Sequence, residues 1–399
     1  MSLQNTQSGE RLHISFFGKR NAGKSSVVNA VTGQSLSVVS DVKGTTTDPV
    51  KKAMELLPLG PVVIIDTPGF DDVGELGMLR VEKTRQILAK TDIAVMISDA
   101  QNELDDRETQ FINELKNKKL PYIIVHNKSD LLPDVPHSDK NNIWVSAKDN
   151  ININELKNKI ADIAKLRESN KKLISDLVEK QDIIVLVTPI DESAPKGRLI
   201  LPQQHTIRDI LDSKCTAVVC QPEQLDKTLK ALVSPPKMVV TDSQAFGFVS
   251  KIVPHNIILT SFSILFARYK GELEVLVAGA SMLSKLNDGD RILISEGCTH
   301  HRQCGDIGTV KLPKWISEFS SSNIEFDFTS GGEFPKDLSP YKLIVHCGGC
   351  MLNEAEMQNR INMAQTANVP IVNYGVAIAH MNGILKRSLE VFPDVAKLL

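Results

Sequence analysis

The sequence predicts an α/β fold, in which a doubly wound domain is followed by two smaller α/β domains with mainly parallel sheets. Three observations predict it: the chain has 399 residues, short apolar runs alternate with amphipathic stretches, and this pattern changes near residues 170 and 260. A chain of this length exceeds what one hydrophobic core usually serves, so two or three domains are expected. Alternating strands and helices build parallel sheets whose ligand loops lie at the strand carboxyl ends.

The first domain is predicted over residues 1–168. Its short apolar runs are typical of buried parallel strands, and they are Leu12–Phe17, Val62–Asp66, Ile93–Ser98, Tyr122–His126 and Ile143–Val145. The stretches with apolar residues at helical spacing are Lys24–Thr32, Leu76–Lys90, Arg107–Lys118 and Ile153–Leu166. Strands and helices thus alternate as a doubly wound sheet requires.

Two further domains are predicted after a linker at residues 169–182, where charged side chains lie on several faces. The predicted strands of the second domain, residues 183–260, are Ile183–Thr188, Thr216–Cys220, Met238–Thr241 and Ile257–Thr260. The predicted strands of the third domain, residues 261–399, are Arg291–Ser295, Ile324–Asp327, Leu343–His346 and Ile371–Asn373.

The composition excludes some classes of partner and location. There are 46 Lys and Arg against 48 Asp and Glu, a net charge of −2, so no nucleic-acid or membrane partner is expected. The polar N-terminal residues lack the apolar segment of a signal peptide, and no apolar run is long enough to span a membrane. A cytoplasmic location is therefore expected. Clustered cysteines in that reducing compartment indicate metal binding more than disulfides.

Residues 18–25 read GKRNAGKS, which fits the phosphate-binding pattern GxxxxGK[ST] between a predicted strand and a predicted helix. Glycines let the backbone wrap around phosphates, and N–H groups at a helix N-terminus attract negative charge. Lys24 is expected to reach the β- and γ-phosphates, and the Ser25 hydroxyl to bind Mg²⁺. The predicted nucleotide-binding residues here are Gly18, Asn21, Ala22, Gly23, Lys24, Ser25 and Ser26.

Three later motifs also follow predicted strands. Asp66 ends a strand and is expected near the metal ion, with the N–H of Gly69 near the γ-phosphate. Asp130 can accept hydrogen bonds from guanine N1–H and N2–H₂, a pair of donors that adenine lacks, so GTP is selected over ATP. The predicted guanine-side residues are Asn127, Lys128, Asp130, Ser146, Ala147 and Lys148. Together with the phosphate loop, these motifs predict a GTP-binding domain.

Residues 11–166 resemble the translation-factor-related GTPases of the TrmE and Era type, which implies a Ras-like fold. The segment GTTTD at residues 44–48 is similar to the switch I motif of that group, and this implies Thr46 as a second protein ligand of Mg²⁺. Asn21 matches the asparagine that helps hold K⁺ in that group, where the ion supplies the positive charge of an arginine finger. The residues predicted to act in hydrolysis are Lys24, Thr46, Asp66 and Gly69.

Two positions depart from common patterns. Arg20 stands where the TrmE and Era group usually has proline, which affects only the local geometry of the loop. Phe70 follows Gly69, at a position where many small GTPases have a glutamine that orients the attacking water. Because phenylalanine cannot hydrogen-bond water, intrinsic hydrolysis is expected to be slow and to need K⁺, a partner or a conformational change.

Two cysteine segments follow predicted strands of the third domain. Cys298 and His300 come after one strand, and residues 346–350, HCGGC, come at the end of another. The carboxyl ends of parallel strands share one edge of a sheet, so the two segments can converge on one crevice. The glycines at 348 and 349 permit a tight turn that lets both flanking sulfurs face one metal centre.

Three interpretations of these cysteines compete on the spacing alone. Cys298, Cys347 and Cys350 would hold a 4Fe–4S cluster with a fourth ligand that is open or not cysteine. With His300 or His346 added, the same thiols would make a Cys₃His zinc site. The third interpretation is a group of thiols without a metal, and the number of ligands does not separate zinc from iron.

The combination of this GTPase with Cys-x-His and a distant His-Cys-x-x-Cys resembles the FeFe-hydrogenase maturation GTPases of the HydF family, over the full chain. The resemblance implies a GTPase domain, a dimerisation domain and a cluster-binding domain, in that order. It also favours iron over zinc as the metal bound by the cysteines. It implies a homodimeric scaffold that holds a 4Fe–4S cluster, accepts a di-iron precursor from two radical maturation enzymes, and delivers it to apo FeFe-hydrogenase. GTP, Mg²⁺, K⁺ and the cluster are the cofactors that follow.

Two other functions fit parts of the sequence. One is an RNA- or ribosome-associated assembly GTPase with a structural zinc domain, against which stand the net charge of −2 and the lack of an interleaved basic and aromatic patch. The other is a metabolic enzyme with catalytic thiols, for which no cysteine and histidine form an activated pair in preference to metal ligation.

Overall fold

The computed structural model describes residues 8–34, 50–69, 83–168, 172–190, 199–297 and 306–399. The chain divides into two compact units, one of Met1–Asn170 with Asn353–Glu356, the other of Lys171–Leu352 with Met357–Leu399. The elements of residues 8–168 are β1 (Leu12–Gly18), α1 (Lys24–Thr32), β2 (Val50–Leu56), β3 (Gly60–Asp66), β4 (Ile93–Asp99), α2 (Asp106–Asn117), β5 (Tyr122–Asn127), β6 (Asn142–Val145) and α3 (Ile153–Glu168).

The first unit is built on one sheet with the strand order β2-β3-β1-β4-β5-β6. The five predicted strands pair in parallel, and Ile14 of β1 lies opposite Ile64 of β3 on one side and Ile93 of β4 on the other. Successive side chains point to opposite faces, so Phe16 packs into the core on one face with α1, and Phe17 into the core on the other face with α2. Helices therefore cover both faces of the sheet around β1, as is usual for parallel strands.

The sequence missed strand β2, which pairs antiparallel with β3 at the edge of the sheet. Most of its residues are exposed, and it contains Lys51, Lys52 and Glu55. An edge strand that buries little apolar surface has no apolar run to reveal it, and exposed lysines also protect such an edge from pairing with another chain. Of the predicted helix Leu76–Lys90, residues 83–88 are helical and residues 70–82 lie outside the described part of the chain.

The second unit contains two parallel four-stranded sheets, in the orders β10-β9-β7-β8 and β12-β11-β13-β14. Their strands are β7 (Ile183–Val187), β8 (Thr216–Cys220), β9 (Met238–Thr241), β10 (Ile258–Ser261), β11 (Arg291–Ser295), β12 (Glu325–Thr329), β13 (Leu343–His346) and β14 (Ile371–Asn373). The helices are α4 (Leu201–Asp212), α5 (Leu225–Ala231), α6 (Phe246–Ile252), α7 (Phe262–Lys270), α8 (Leu273–Ala280), α9 (Leu312–Ser320), α10 (Glu354–Thr366), α11 (Tyr374–Met381), α12 (Leu385–Ser388) and α13 (Pro393–Ala396).

The predicted α/β class is confirmed in both units, since the eight strands within the described ranges of the second unit pair in parallel. One difference concerns the predicted linker at residues 169–182. Leu173 and Ile174 are buried in the core of the second unit, and the backbone N–H groups of Ile174 and Ser175 donate to Asp209 of α4 at 2.8 and 2.9 Å. Two adjacent apolar residues within a charged stretch are too short a signal to reveal this packing.

Several site residues follow directly from the strand order. The phosphate loop leaves β1, Asp66 ends β3, Asn127 ends β5 and Ser146 follows β6, so all four lie at the carboxyl edge of the first sheet. In the third sheet, Ser295 of β11 pairs with His346 of β13, which places Gly297 and Cys347 side by side past the strand ends. No helix in the described ranges has the length and apolar content needed to span a bilayer.

Candidate functional site

Gly23 closes the phosphate loop immediately before α1. Its φ is +82°, a left-handed backbone conformation that residues with a Cβ rarely adopt. A Cβ on Gly23 would lie 2.1 Å from Nδ2 of Asn127. The position therefore requires glycine both for its backbone conformation and for the close approach of Asn127.

The metal side of the loop is made by Lys24, Ser25 and Asp66. Nζ of Lys24 lies 2.7 Å from Oδ1 of Asp66, and the Ser25 hydroxyl donates to Oδ2 of Asp66 at 3.4 Å. Both charged side chains are largely buried, with 12% of Lys24 and 5% of Asp66 exposed. The structure thus brings together a cation suited to phosphate, and a hydroxyl and carboxylate suited to Mg²⁺.

Asn127 joins three of the predicted motifs at the guanine side. Its Nδ2 donates to the carbonyl of Ala22 at 3.0 Å, and its Oδ1 accepts from the N–H of Ala147 at 3.1 Å. Ser146 is buried and its hydroxyl accepts from the N–H of Asp149 at 3.1 Å, which shapes the turn. The phosphate loop and the loop after β6 are therefore held in one arrangement by a single amide.

The other guanine-side residues lie around Asn127. Lys128 has a left-handed backbone and its Nζ lies 2.6 Å from Oδ2 of Asp99, at the end of β4. Asp130 is half-buried in the short 3₁₀ turn Ser129–Leu131, directly after β5, and Lys148 is exposed. Three loop residues remain. Gly18 ends β1, and Ser26 lies in the first turn of α1. Asn21 is exposed in the loop between them and has φ +60°.

Lys19, a loop residue that the sequence did not single out, ties the phosphate loop to α2. Its Nζ pairs with Asp105 and lies 3.1 Å from Oε2 of Glu108, which is 4% exposed. Asp105 and Glu108 form the capping box of α2: Asp105 accepts from the N–H of Glu108 at 3.0 Å, and Glu108 accepts from the N–H of Asp105 at 3.1 Å. The hydrogen bond from Lys19 holds the pKa of Asp105 below its usual value.

Some predicted site residues lie outside the described part of the chain. They are Thr46, Phe70, Cys298 and His300. Gly69 is the last described residue before one gap, and Gly297 the last before another. Within the described ranges, no three or more His, Cys, Asp or Glu side chains form a group that could hold a metal ion.

The loop after β13 carries Cys347 and Cys350. Sγ of Cys347 accepts from the N–H of Gly297 at 3.0 Å and from the N–H of Gly349 at 3.4 Å. Gly349 has φ +63°, the left-handed conformation that the sequence predicted for a tight turn. Two backbone donors thus point at one sulfur, which is the environment of a metal-bound thiolate.

Removal from water raises the pKa of the Cys347 thiol to about 11, although the N–H groups of Gly297 and Gly349 act in the opposite direction. A thiol in this environment is protonated at neutral pH, and a bound metal cation reverses that preference by stabilising the thiolate. The donor set of two thiols and sulfur-directed N–H groups fits a soft, thiolate-binding metal centre.

His346 is engaged at both ring nitrogens. Nδ1 lies 2.7 Å from the carbonyl of Cys347, and Nε2 lies 3.0 Å from Nη1 of Arg360. Arg360 can only donate, so Nε2 accepts and Nδ1 carries the proton. Burial, together with the charge of Arg360, lowers the pKa of His346 to about 3. In this arrangement His346 offers no lone pair to a metal, and its ring instead holds the carbonyl of Cys347.

Arg360 itself was not predicted. It is 1% exposed, donates to Ser295 at 3.2 Å and to the carbonyl of Gly331 at 2.7 Å, and lies over the ring of Phe334 at 5.1 Å. Its helix, α10, has no clear apolar stripe in the sequence, so this arginine cannot be distinguished there from a surface residue.

Comparison with protein families gives three matches along the chain. Residues 13–128 match the 50S ribosome-binding GTPase family, residues 173–271 the hydrogen maturase F dimerization domain, and residues 274–391 the hydrogen maturase F tetramerization domain. The last two matches together cover more than half of the 399 residues. They begin at residue 173, where the structure also buries Leu173 and Ile174.

Curated relatives match the first part of the chain. The tRNA modification GTPase MnmE of Endomicrobium trichonymphae is 32% identical over 189 residues, which make up 45% of this chain and 41% of the relative. MnmE of Francisella tularensis subsp. novicida is 34% identical over 159 residues, 38% of this chain and 35% of the relative. The chain spans about two fifths or less of the length of these relatives. These matches confirm a GTPase domain of the predicted TrmE and Era type.

Solved structures include two GTP-binding proteins that resemble parts of the chain. A probable GTP-binding protein engB is 25% identical with a TM-score of 0.32, covering 39% of this chain and 100% of that protein. An Era variant of Aquifex aeolicus bound to GDP and AlF₄⁻ is 16% identical with a TM-score of 0.34, covering 80% and 92%.

Proposed function

The chain belongs to the hydrogen maturase F family, and from this premise we propose that it is a GTP-hydrolysing scaffold and carrier. In this proposal it holds a 4Fe–4S cluster, accepts a di-iron precursor as cargo, and delivers that precursor to apo FeFe-hydrogenase. The observation that carries the proposal is the position of Cys347 at the carboxyl edge of the third sheet, beside the end of β11, within the matched family domains.

The nucleotide half of the proposal rests on the contacts of Lys24 and Asn127. Lys24, which now pairs with Asp66, would bind the β- and γ-phosphates of GTP, and Asp66 and Ser25 would hold Mg²⁺. Asp130 accepts from guanine, on a turn that Asn127 holds against the phosphate loop. Thr46 is the further Mg²⁺ ligand that the family resemblance implies, and Gly69 is the donor to the γ-phosphate.

Asp130→Asn tests the assignment of the base. An asparagine at residue 130 offers one donor and one acceptor where the carboxylate offers only acceptors. GTP affinity should fall by about 10- to 100-fold, since one guanine donor loses its acceptor, while xanthosine triphosphate should gain affinity. Unchanged binding of both nucleotides would contradict the role of Asp130.

The K⁺ ion that the family resemblance implies would be held with the help of Asn21. Asn21 lies in the exposed part of the phosphate loop with φ +60°, a conformation that asparagine tolerates better than most residues. GTP hydrolysis should be faster in KCl than in NaCl of equal ionic strength, and Asn21→Gly should remove that difference. Glycine is used for this substitution because it adopts a positive φ without strain, so the loop backbone keeps its conformation.

The metal half of the proposal assigns Cys347 and Cys350, with Cys298, as the protein ligands of the cluster. The donor chemistry of the described residues fits it, because the Cys347 sulfur receives two backbone N–H groups and the same loop carries a second free thiol, Cys350. The cluster, when bound, supplies an iron–sulfur centre with one iron that is not held by cysteine and can take an exchangeable ligand. The protein residues orient and shield that centre.

The decisive experiment is metal analysis of anaerobically purified and reconstituted protein. We expect about four iron and four sulfide per chain, as a 4Fe–4S cluster requires, and Cys347→Ser should remove them while GTP hydrolysis persists. Lys24→Ala is the matched variant: it should abolish GTP hydrolysis and keep the iron. Zinc without iron would overturn the proposal and favour the alternative of an assembly GTPase with a structural zinc site.

Delivery is tested separately. Protein loaded by the two radical maturation enzymes should activate apo FeFe-hydrogenase, and Cys350→Ser protein treated in the same way should not. Activation by the Cys350→Ser protein would show that the cargo does not depend on this cysteine loop.

A further inference from the structure

Lys270 is a buried lysine beside the cysteine loop. It is the last residue of α7 and only 4% of it is exposed. Its Nζ donates to the carbonyl oxygens of Gly349 at 3.5 Å, Cys350 at 3.3 Å and Leu352 at 3.0 Å. Lys270 and Cys347 also border the same small recess.

The three partners fix the chemical state of this side chain. A carbonyl oxygen can only accept, and an ammonium has three N–H donors with no acceptor. Three acceptors around one nitrogen therefore match a protonated Lys270, whereas a neutral amine has one donor too few. The positively charged Nζ of Lys270 therefore lies against the loop from Cys347 to Leu352.

A second contact holds the same lysine from its backbone. The carbonyl of Lys270 accepts from Nε2 of Gln358 on α10 at 3.4 Å. The side chain and the main chain of one residue thus contact both the cysteine loop and the helix that follows it. The end of α7 belongs to the match with the dimerization domain, and the loop to the match with the tetramerization domain.

We propose that Lys270 is a positioning residue for the metal centre, which fixes the Cys347–Cys350 turn and places a compensating positive charge beside the anionic thiolates. This inference rests on the proposed cluster ligands. By holding three carbonyl oxygens away from the sulfurs, Lys270 keeps the N–H of Gly349 directed at Cys347 Sγ. Its charge favours the more negative, reduced state of the cluster, so it raises the reduction potential.

The positioning part is tested on metal-free protein. We would measure the rate at which iodoacetamide alkylates Cys350, by peptide mass spectrometry, in wild type, Lys270→Met, Lys270→Gln and Lys270→Arg. A turn released from its lysine should be alkylated at least about tenfold faster in the Met variant, less so in the Gln variant, and within threefold of wild type in the Arg variant. Lys314→Met is the control, because it removes an exposed lysine of α9.

The charge part is tested on reconstituted protein by the midpoint potential of the cluster. Met and Gln should both lower the potential, while Arg and Lys314→Met should leave it near the wild-type value. A tenfold change in the equilibrium between the two oxidation states corresponds to about 59 mV for a one-electron couple. The Gln variant, which keeps donors but loses the charge, separates the charge from the hydrogen bonds and also serves if the Met variant fails to fold.

The outcomes separate this inference from the proposed function. Wild-type alkylation rates and potentials in both Met and Gln variants would overturn the role of Lys270 while the cluster stands. If the wild-type protein assembles no cluster, the proposed function fails, and the alkylation rates on the metal-free chain still decide whether Lys270 positions the turn.

Discussion

Nη1 of Arg360 lies 3.0 Å from Nε2 of His346, and through this contact a buried cation is connected to the cysteine loop. His346 links Arg360 to the loop, because its Nδ1 lies 2.7 Å from the carbonyl of Cys347. The imidazole stays neutral, since burial and the neighbouring guanidinium lower its pKa to about 3. Arg360 and Lys270 thus reach the same loop from α10 and α7.

His346→Leu should destabilise the second unit without removing iron. The substitution leaves an N–H of Arg360 without its acceptor at a site that is 1% exposed, which costs about 1–3 kcal/mol or more for a charged group. Thermal unfolding and iron content would be measured together. His380→Leu is the control, because His380 is a half-buried histidine that contacts the Ser284 hydroxyl and lies outside the loop. Loss of iron at unchanged stability would instead identify His346 as a ligand.

Gly23→Ala should reduce the affinity for GTP, whereas Gly33→Ala should only lower the stability of the protein. Both glycines have positive φ, +82° and +65°, but a Cβ on Gly33 meets no atom within 4 Å, whereas one on Gly23 meets Asn127. Gly33→Ala should therefore cost only the backbone strain, about 1 kcal/mol in unfolding free energy. Gly23→Ala should also displace the Asn127 amide and reduce GTP affinity by about 10- to 100-fold, from two lost hydrogen bonds. Equal GTP affinities in the two variants would contradict the role of Asn127.

Lys19→Met should destabilise the first unit by about 1–3 kcal/mol, because it leaves the buried Glu108 carboxylate without its cation. Lys116→Met, in the exposed last turn of the same helix, should change stability by less than about 0.5 kcal/mol. A double-mutant cycle of Lys19→Met with Glu108→Gln measures the pair directly, with an expected coupling of about 1 kcal/mol or more. Additive effects would show that the contact contributes nothing.

His126 should resist protonation in the folded protein. Its ring stacks on Trp144 with centroids 4.5 Å apart, and burial lowers its pKa below the ordinary value of 6.5. A group with a lowered folded-state pKa contributes stability that is full above pH 6.5 and declines as the pH falls below it.

The fluorescence of Trp144 measures this protonation in a Trp315→Phe variant, which leaves one of the two tryptophans. Its pH midpoint in the folded protein should lie below 6.5, the ordinary value for a histidine. His126→Gln should remove the transition. A folded-state midpoint at or above 6.5 would show that burial does not govern this histidine.

Several features could be predicted from the sequence because each is a pattern within one short, continuous segment of the chain. Five strands of the second and third sheets, at 216–220, 238–241, 291–295, 343–346 and 371–373, have the predicted bounds. Each is a mainly apolar run, a pattern typical of strands in a parallel sheet. The phosphate loop was predictable for the same local reason, since its spacing, strand and helix are contiguous in the chain.

Residues that act through long-range contacts left no such signal. Lys270 and Arg360 lie on helices whose sequences give no reason to bury a charge, and Lys19 occupies a variable position of the loop pattern. The partners are distant in the sequence: Leu352 is 82 residues from Lys270, His346 is 14 residues from Arg360, and Glu108 is 89 residues from Lys19. A buried cation is stable only where such acceptors converge, and convergence is a property of the packed chain.

The sequence by itself predicted which chemistry the chain carries: a phosphate loop, an aspartate expected to select guanine, and two cysteines separated by two residues, because each is a local pattern tied to a strand end. Only the tertiary structure decided how those groups are held. It engaged both nitrogens of His346, joined two loops through Asn127, and placed the buried Lys270 against the cysteine turn, since hydrogen bonds between distant segments form only after the sheets and helices pack together.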